Sequence, residues 1–519
     1  MSNPILHARL VARALDESAH CVTRVSGRER IGHPYELEIE IVGQAGVAID
    51  EEALLGESAS LILEHHDRAV RRVHGVIQRT DSDLAAETGH LAWTVTLVPR
   101  LGALALTTAT EVTMDLSVPD IVADRLERAG LKRGNDFDLQ LLAGYPVREF
   151  VVQFKESELA FVSRLCEHAG ISLYFRQEEE RDVVVFTDHA NGFATEHSGL
   201  QVPFRARGER QDVFDLRTTR TAQPARVVVK DYNYRTPGVA LQANAETRGK
   251  VGQRFEYGGH FKTPDEADRT ARLRAEELAW QKHVYQGRSA RPELSAGTRF
   301  RLEGHPLGDR ELLVLEVEHE LRQAAGLFAG PASDGFYENR FKAIDASVPF
   351  RPLRVTPKPH VPGVLTGIVE AAQPGQYAEL DPEGRYHVRF LFDVGPNARG
   401  KASRPIRMAQ PHAGPGYGFH FPLRDGVEVV LSCVEGDPDR PIISGAVPNP
   451  TTPSTVGANN GMRNVIRTGG GTEINIDDHE GSERLKLSVP FGNTVLQLGA
   501  PNAPVQGIYM GTDNKVHVS

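Results

Sequence analysis

Only three cysteines and two tryptophans occur in the 519-residue chain. Cys21, Cys166 and Cys433 are odd in number and lie more than a hundred positions apart. That excludes a disulfide framework, and no CxxC spacing exists to hold zinc. They read as three small buried hydrophobes of a reducing compartment. Long apolar runs are also missing: nothing approaches the about 20 residues needed to span a bilayer. The apolar stretch from Ile5 is broken by His7, Arg9 and Arg13, so no signal-peptide core is expected. A basic surplus is absent as well. The 59 Lys+Arg against 69 Asp+Glu give a net charge of -10, the wrong balance for a dedicated nucleic-acid binder.

Catalytic signatures are equally scarce. His319-Glu320 lacks the second histidine of HExxH, so a helix-face zinc pair cannot form. No GxSxG elbow occurs. The glycines of Thr468-Gly-Gly-Gly-Thr472 are not followed by Lys-Ser/Thr, and those of Gly414-Pro-Gly-Tyr-Gly418 have the wrong spacing for a dinucleotide loop. His65-His66-Asp67 follows a strand and reads as a solvated turn. The expectation is a protein that is not an enzyme, with no cofactor, no metal site and no catalytic residue.

What is present points to β structure. With 40% hydrophobic and 25% charged residues the chain is globular, and 49 Gly and 32 Pro require frequent turns. Residues 35–41 alternate apolar and acidic side chains at period two, as a half-buried strand does. Residues 61–63, 73–77, 91–97, 171–175, 183–186 and 225–230 read as further strands. Three helices stand out. One spans about 119–129, with Pro119 in its first turn and Gly130 as its stop; another spans about 157–169 and is ended by Gly170. The third opens on the capping box Thr263-Pro264-Asp265-Glu266.

Pro352, Pro357, Pro359 and Pro362 make a stiff linker over 352–362. Beyond it, residues 386–392, 417–421 and 427–434 read as strands of a compact five-stranded barrel over 363–447. Most of the aromatics Phe390, Phe392, Tyr417 and Phe419 are expected to fill that barrel. The basic residues Arg399, Lys401, Arg404 and Arg407 read as a subunit contact or solvated face rather than a single-strand-binding surface. A second boundary falls at 448–453. After it come only strand fragments, at 473–476, 485–489, 494–498 and 508–510, which bury too little surface to stand alone. An intertwined homotrimer supplies the missing core, each chain forming one wall.

Several segments resemble the VgrG family, the trimeric spike of bacterial type VI secretion systems, which is similar to phage tail hub and spike proteins. They are residues 146–171, the run Asp381-Pro-Glu-Gly-Arg-Tyr-His-Val-Arg-Phe390, residues 416–430, the highly specific EGDPDRPIISG at 435–445, and residues 468–478. Phe390-Leu-Phe-Asp393 departs from the family's usual His-Trp ending. The long repeating β-helix segments are absent, and the eight residues 450–457 leave no room for the lysozyme of some phage relatives.

The resemblance implies a mainly β fold with a minor α/β part. Residues 1–355 form a hub of β-barrels with an α/β insertion, 363–447 an OB-fold barrel, and 454–519 the start of a trimeric β-helix needle. The implied function is a membrane-puncturing spike that delivers effectors when a sheath contracts. A phage tail-like or extracellular contractile particle is the alternative, and an OB-fold nucleic-acid binder a remote one. Implied partners are two further copies, an Hcp-like tube protein and baseplate at the hub end, effectors or adaptors, and a PAAR-like tip protein. No nucleic acid is expected, and the target membrane is crossed rather than inhabited. The protein is expected in the cytoplasm when assembled and outside the cell after firing. Val516, His517 and Val518, in an alternating terminal strand, are expected to form the tip-binding platform, with His517 a plain solvated side chain rather than a metal ligand.

Overall fold

The computed structural model describes all residues except 1–5, 44–46, 48, 84–91, 194–198, 207–211, 324–334, 376, 500–506 and 518–519. The chain is mainly β, and it divides into two compact units.

The first unit comprises 1–109, 115–148 and 155–358. Its spine is a twelve-stranded sheet in which strand His20–Arg30 pairs antiparallel with Arg310–Arg322. That pairing joins two hydrophobic cores. One gathers Ile39, Leu61, Ile77, Val95 and Leu97; the other gathers Phe300, Leu312, Val317 and Phe341. The alternation of residues 35–41 is realised in strand His33–Gly43, where Tyr35, Leu37, Ile39 and Ile41 are buried. Gly75 is required by close approach, since a Cβ there would sit 2.2 Å from the Val98 carbonyl oxygen.

Among the described residues, four α-helices decorate this unit: α1 (Glu51–Leu54), α2 (Val118–Arg128), α3 (Glu158–Ala169) and α4 (Pro264–Ala279). The short α1 is capped by Asp50, which accepts from the Ala53 N–H, and the other three follow the signals in the sequence. Ser157 caps α3, accepting from the Ala160 N–H, and Gly170 ends it at φ 74°. At α4, Thr263 Oγ1 accepts from the Glu266 N–H, while the Glu266 carboxylate accepts from the Lys262 N–H at 2.6 Å. The return arm of the capping box thus reaches one residue further back than expected. Helices α2 and α3 accompany a three-stranded sheet of Phe137–Gln140, Ser172–Gln177 and Asp182–Thr187. Helix α4 covers a second one, Pro224–Asp231 between Leu241–Glu246 and Val251–Tyr257.

The stiff proline linker expected over 352–362 is tied to the first unit at its start. Arg351 pairs with Glu276, Arg354 with Glu256 and Glu277, and Thr356 donates twice to the Glu167 carboxylate.

The second unit comprises 110–114, 149–154 and 359–519. Its barrel sheet runs His387–Phe390, Val364–Glu370, Glu428–Cys433, Pro441–Ala446, and the bridges Tyr386–Ile406 and Met408–Ile443 extend it. The core holds Val369, Tyr386, Val388, Phe390, Val429, Leu431 and Ile443, and it also takes in Val112, Phe150 and Val152. The EGDPDRP turn fixes the second of these visiting segments. Its Asp439 carboxylate accepts from the Val152 N–H at 2.7 Å, and Arg404 lies over the Phe150 ring. Of the aromatics expected inside, Phe390 is buried and Phe392 packs against the core. Tyr417 and Phe419 do not join it: they are 60% and 50% exposed, and only Tyr417–Gly418 of that segment is strand. Among the cysteines Cys166 alone is fully buried; Cys21 and Cys433 are half-buried, and all three are free thiols.

Candidate functional site

The C-terminal segment folds as a five-stranded antiparallel meander: Arg463–Arg467, Glu473–Asp477, Arg484–Val489, Thr494–Gly499 and Gly507–Gly511. The first strand went unrecognised in the sequence because its charged flanks mask a short apolar centre. Register makes one face of this sheet almost purely apolar. One row across the strands reads Ile466, Ile474, Leu487, Leu496, Met510. The next parallel row reads Asn464, Ile476, Leu485, Leu498, Ile508. Because side chains alternate at period two, these rows share one side.

The opposite face carries the sheet's charges, most of them in ion pairs. Arg467 binds Glu473, and Arg463 donates to Asp477 at 3.1 Å. Hydrogen bonds from Asn475 and Arg467 hold the Glu473 carboxyl below its usual range, and Arg463 does the same to Asp477. The carboxylates of Glu473 and Asp477 are therefore paired within the chain, whereas the apolar side is open. Ile474, Ile476, Leu487 and Leu498 are 37–43% exposed, and Ile508 and Met510 about two-thirds. A contiguous apolar patch of this kind marks an assembly surface.

The proposed tip residues lie elsewhere. Val516 and His517 are exposed and outside any strand, and Val518 is outside the described residues. The expected terminal strand does not form over Lys515–His517 because the preceding turn is drawn back: the Asp513 N–H donates to the Gly492 carbonyl, and Asn493 binds the Asp513 carboxylate. Of the basic residues 399–407, Arg399 pairs with Asp425 and Arg404 donates to the Asp439 carbonyl. The His66-Asp67 pair occupies a tight hairpin turn with φ of 50° and 58°.

One buried charge cluster was not legible in the sequence. Glu29 pairs with Arg71 and accepts from His319 Nε2 at 2.9 Å, while His319 Nδ1 meets the Tyr337 hydroxyl at 2.8 Å. Burial alone would raise the Glu29 carboxyl, but Arg71 and His319 outweigh it and bring it to about 2. Burial, reinforced by Arg71, pushes the His319 imidazole down. The cluster borders a cleft of about 340 Å³ that also exposes Arg72, Glu178, Glu179 and Glu293. The one acid of the cluster, Glu29, is matched by both Arg71 and His319, which is the arrangement of a structural lock.

Comparison with known proteins follows the same division of the chain. Residues 28–325 match the phage tail baseplate hub family, and residues 365–447 match the type VI secretion system/phage-baseplate injector OB domain. The chain is 31% identical over 482 residues to the type VI secretion system spike protein VgrG1b of Pseudomonas aeruginosa, covering 89% of this chain and 64% of that protein. It is also 31% identical over 483 residues to VgrG1a of the same organism, covering 89% and 74%. Its fold is similar to that of the E. coli c3393 protein, a type VI secretion component, with a TM-score of 0.60 at 24% identity over 85% of this chain and all of that one. The chain thus spans just under two thirds of the first relative and about three quarters of the second. With its hub, its OB barrel and these relatives, the chain belongs to the VgrG family of type VI secretion system spike proteins.

Proposed function

We propose that the protein works as a homotrimeric spike and hub at the end of a type VI secretion tube, driven through a target membrane by sheath contraction. The observation that carries this reading is the open apolar face of the C-terminal sheet. Each strand offers at least two residues to that face, Val489 and Thr494 adding a third to the two central strands, and Asn464 and Thr494 are its polar members. Three copies about one axis give at least six residues per layer. At about 4.8 Å between strands, the five strands of the sheet make a prism roughly 19 Å tall. Such a prism leaves no wall that can peel away alone, the property needed by a rod pushed from behind.

In this reading the hub end meets the tube protein and baseplate, effectors or adaptors ride on the spike, and the chain itself performs no hydrolysis. Val516, His517 and Val518 are assigned to contact with a cone-shaped tip protein, and binding that survives truncation at Gly499 would refute that assignment. The spike is secreted on firing, and no helix among the described residues is long and apolar enough to hold it in a membrane. The test is release of tube protein into the medium by cells whose spike genes are deleted. This chain should restore it, and a chain lacking residues 463–511 should not. Recovery of the chain only in free, cell-independent contractile particles would favour the alternative.

A further inference from the structure

Residues 411–422 are exposed without a break and, like Leu423 after them, carry no Asp, Glu, Lys or Arg. A two-residue ribbon, Ala413–Gly414 against Tyr417–Gly418, projects them. Tyr417 folds over Gly414, where a Cβ would lie 2.3 Å from the ring, and meets His412 at 5.2 Å between centroids. Phe419 and Phe421 stack at 6.4 Å and are each 50% exposed. At alternate positions of one extended segment, the three aromatics form a ridge. Water does not favour such a surface, and aromatic rings are the side chains that most often anchor protein interfaces.

We propose that this ridge is an inter-protomer contact that docks against a second copy of the chain at the base of the needle. The inference rests on the trimeric reading above and extends it to a surface outside the C-terminal sheet. Its position supports that occupant. Three residues beyond Phe421, Arg424 lies over the Tyr377 ring at 5.2 Å. Its guanidinium fills the space beside Gly469, where a Cβ would meet it at 2.0 Å, in the turn between the first two strands of the sheet. The segment that carries the ridge therefore runs into a residue packed against the turn between the first two strands of the needle sheet. The lack of charge fits an apolar protein surface and does not fit phosphate. Arg424, the first cation after the ridge, is packed over the Tyr377 ring.

The test uses the full chain with Phe419 replaced by photoreactive benzoylphenylalanine, alongside the double variant Tyr417→Ser/Phe419→Ser. Irradiation should yield covalent dimers and trimers. The double variant should keep its circular dichroism while the concentration at which trimers dissociate rises about 100-fold. A monomeric parent protein would overturn the trimeric reading and the ridge with it. A trimeric parent that gives only intrachain cross-links, or a double variant that dissociates like the parent, would overturn the ridge contact alone. Binding of a fluorescent oligothymidine that the double variant abolishes would assign the ridge to nucleic acid and overturn the proposal.

Discussion

Leu487 sits at the middle of the apolar face, opposite Ile474 on one side and Leu496 on the other, and is 37% exposed in the single chain. Complete burial of a leucine is worth about 1.5–3 kcal/mol, so covering the remaining 37% contributes about 0.6–1.1 kcal/mol per copy. Leu487→Ser removes that and places a hydroxyl in a dry core, costing about 1–3 kcal/mol more. The total is about 2–4 kcal/mol per copy. A threefold layer repeats it three times, about 5–12 kcal/mol per trimer. At about 1.4 kcal/mol per tenfold, even the lower figure weakens the trimer association constant more than roughly a thousandfold. Sedimentation equilibrium reads this directly. Lys486→Ser, one residue away on the polar face, should leave the association unchanged, because parity decides which side a residue faces. If Leu487→Ser and Lys486→Ser dissociate alike, the apolar face is not the trimer core.

Other expectations concern the first unit. Glu29, lowered from about 4.5 unfolded to about 2 in the fold, contributes stability that is present above pH 4.5 and lost as pH falls toward 2. Glu29→Gln should therefore cost about 3 kcal/mol at neutral pH and flatten the acid limb of the denaturation profile. The strap at Arg351, Arg354 and Thr356 should protect the Arg354 peptide bond from trypsin, and Glu167→Ala should expose it, read by mass spectrometry of the first fragments. Ser157→Ala and Thr263→Ala should each lower unfolding free energy by about 1 kcal/mol in urea titrations through loss of a helix cap.

The features that could be read from sequence are the local ones. The caps at Ser157 and Thr263 and the stop at Gly170 act within four residues, so α3 and α4 follow from neighbours alone. The final strands were legible because alternation and intervening turns need no distant partner. Long-range pairing was not. Glu29 and His319 are 290 positions apart, and nothing in HE at 319–320 signals that its partner is a carboxylate from strand His20–Arg30. Val112 and Val152 are apolar residues in short strands and Phe150 immediately precedes one, but sequence pattern does not say which of two cores such a segment joins. At 417–421 the alternation is real, yet Gly414, Gly416 and Gly418 restrict the ladder to two pairs. A period of two here marks an exposed aromatic ridge instead of a barrel strand.

The trimeric reading covers the open apolar face with two further copies, so the most direct measurement is the mass of the purified chain in solution by multi-angle light scattering. Three copies of the 57.0 kDa chain give 171 kDa, the value expected across micromolar concentrations. A homogeneous species at 57.0 kDa whose amides at 463–511 are protected from exchange would mean the sheet is stable with that face in water, and would contradict the account.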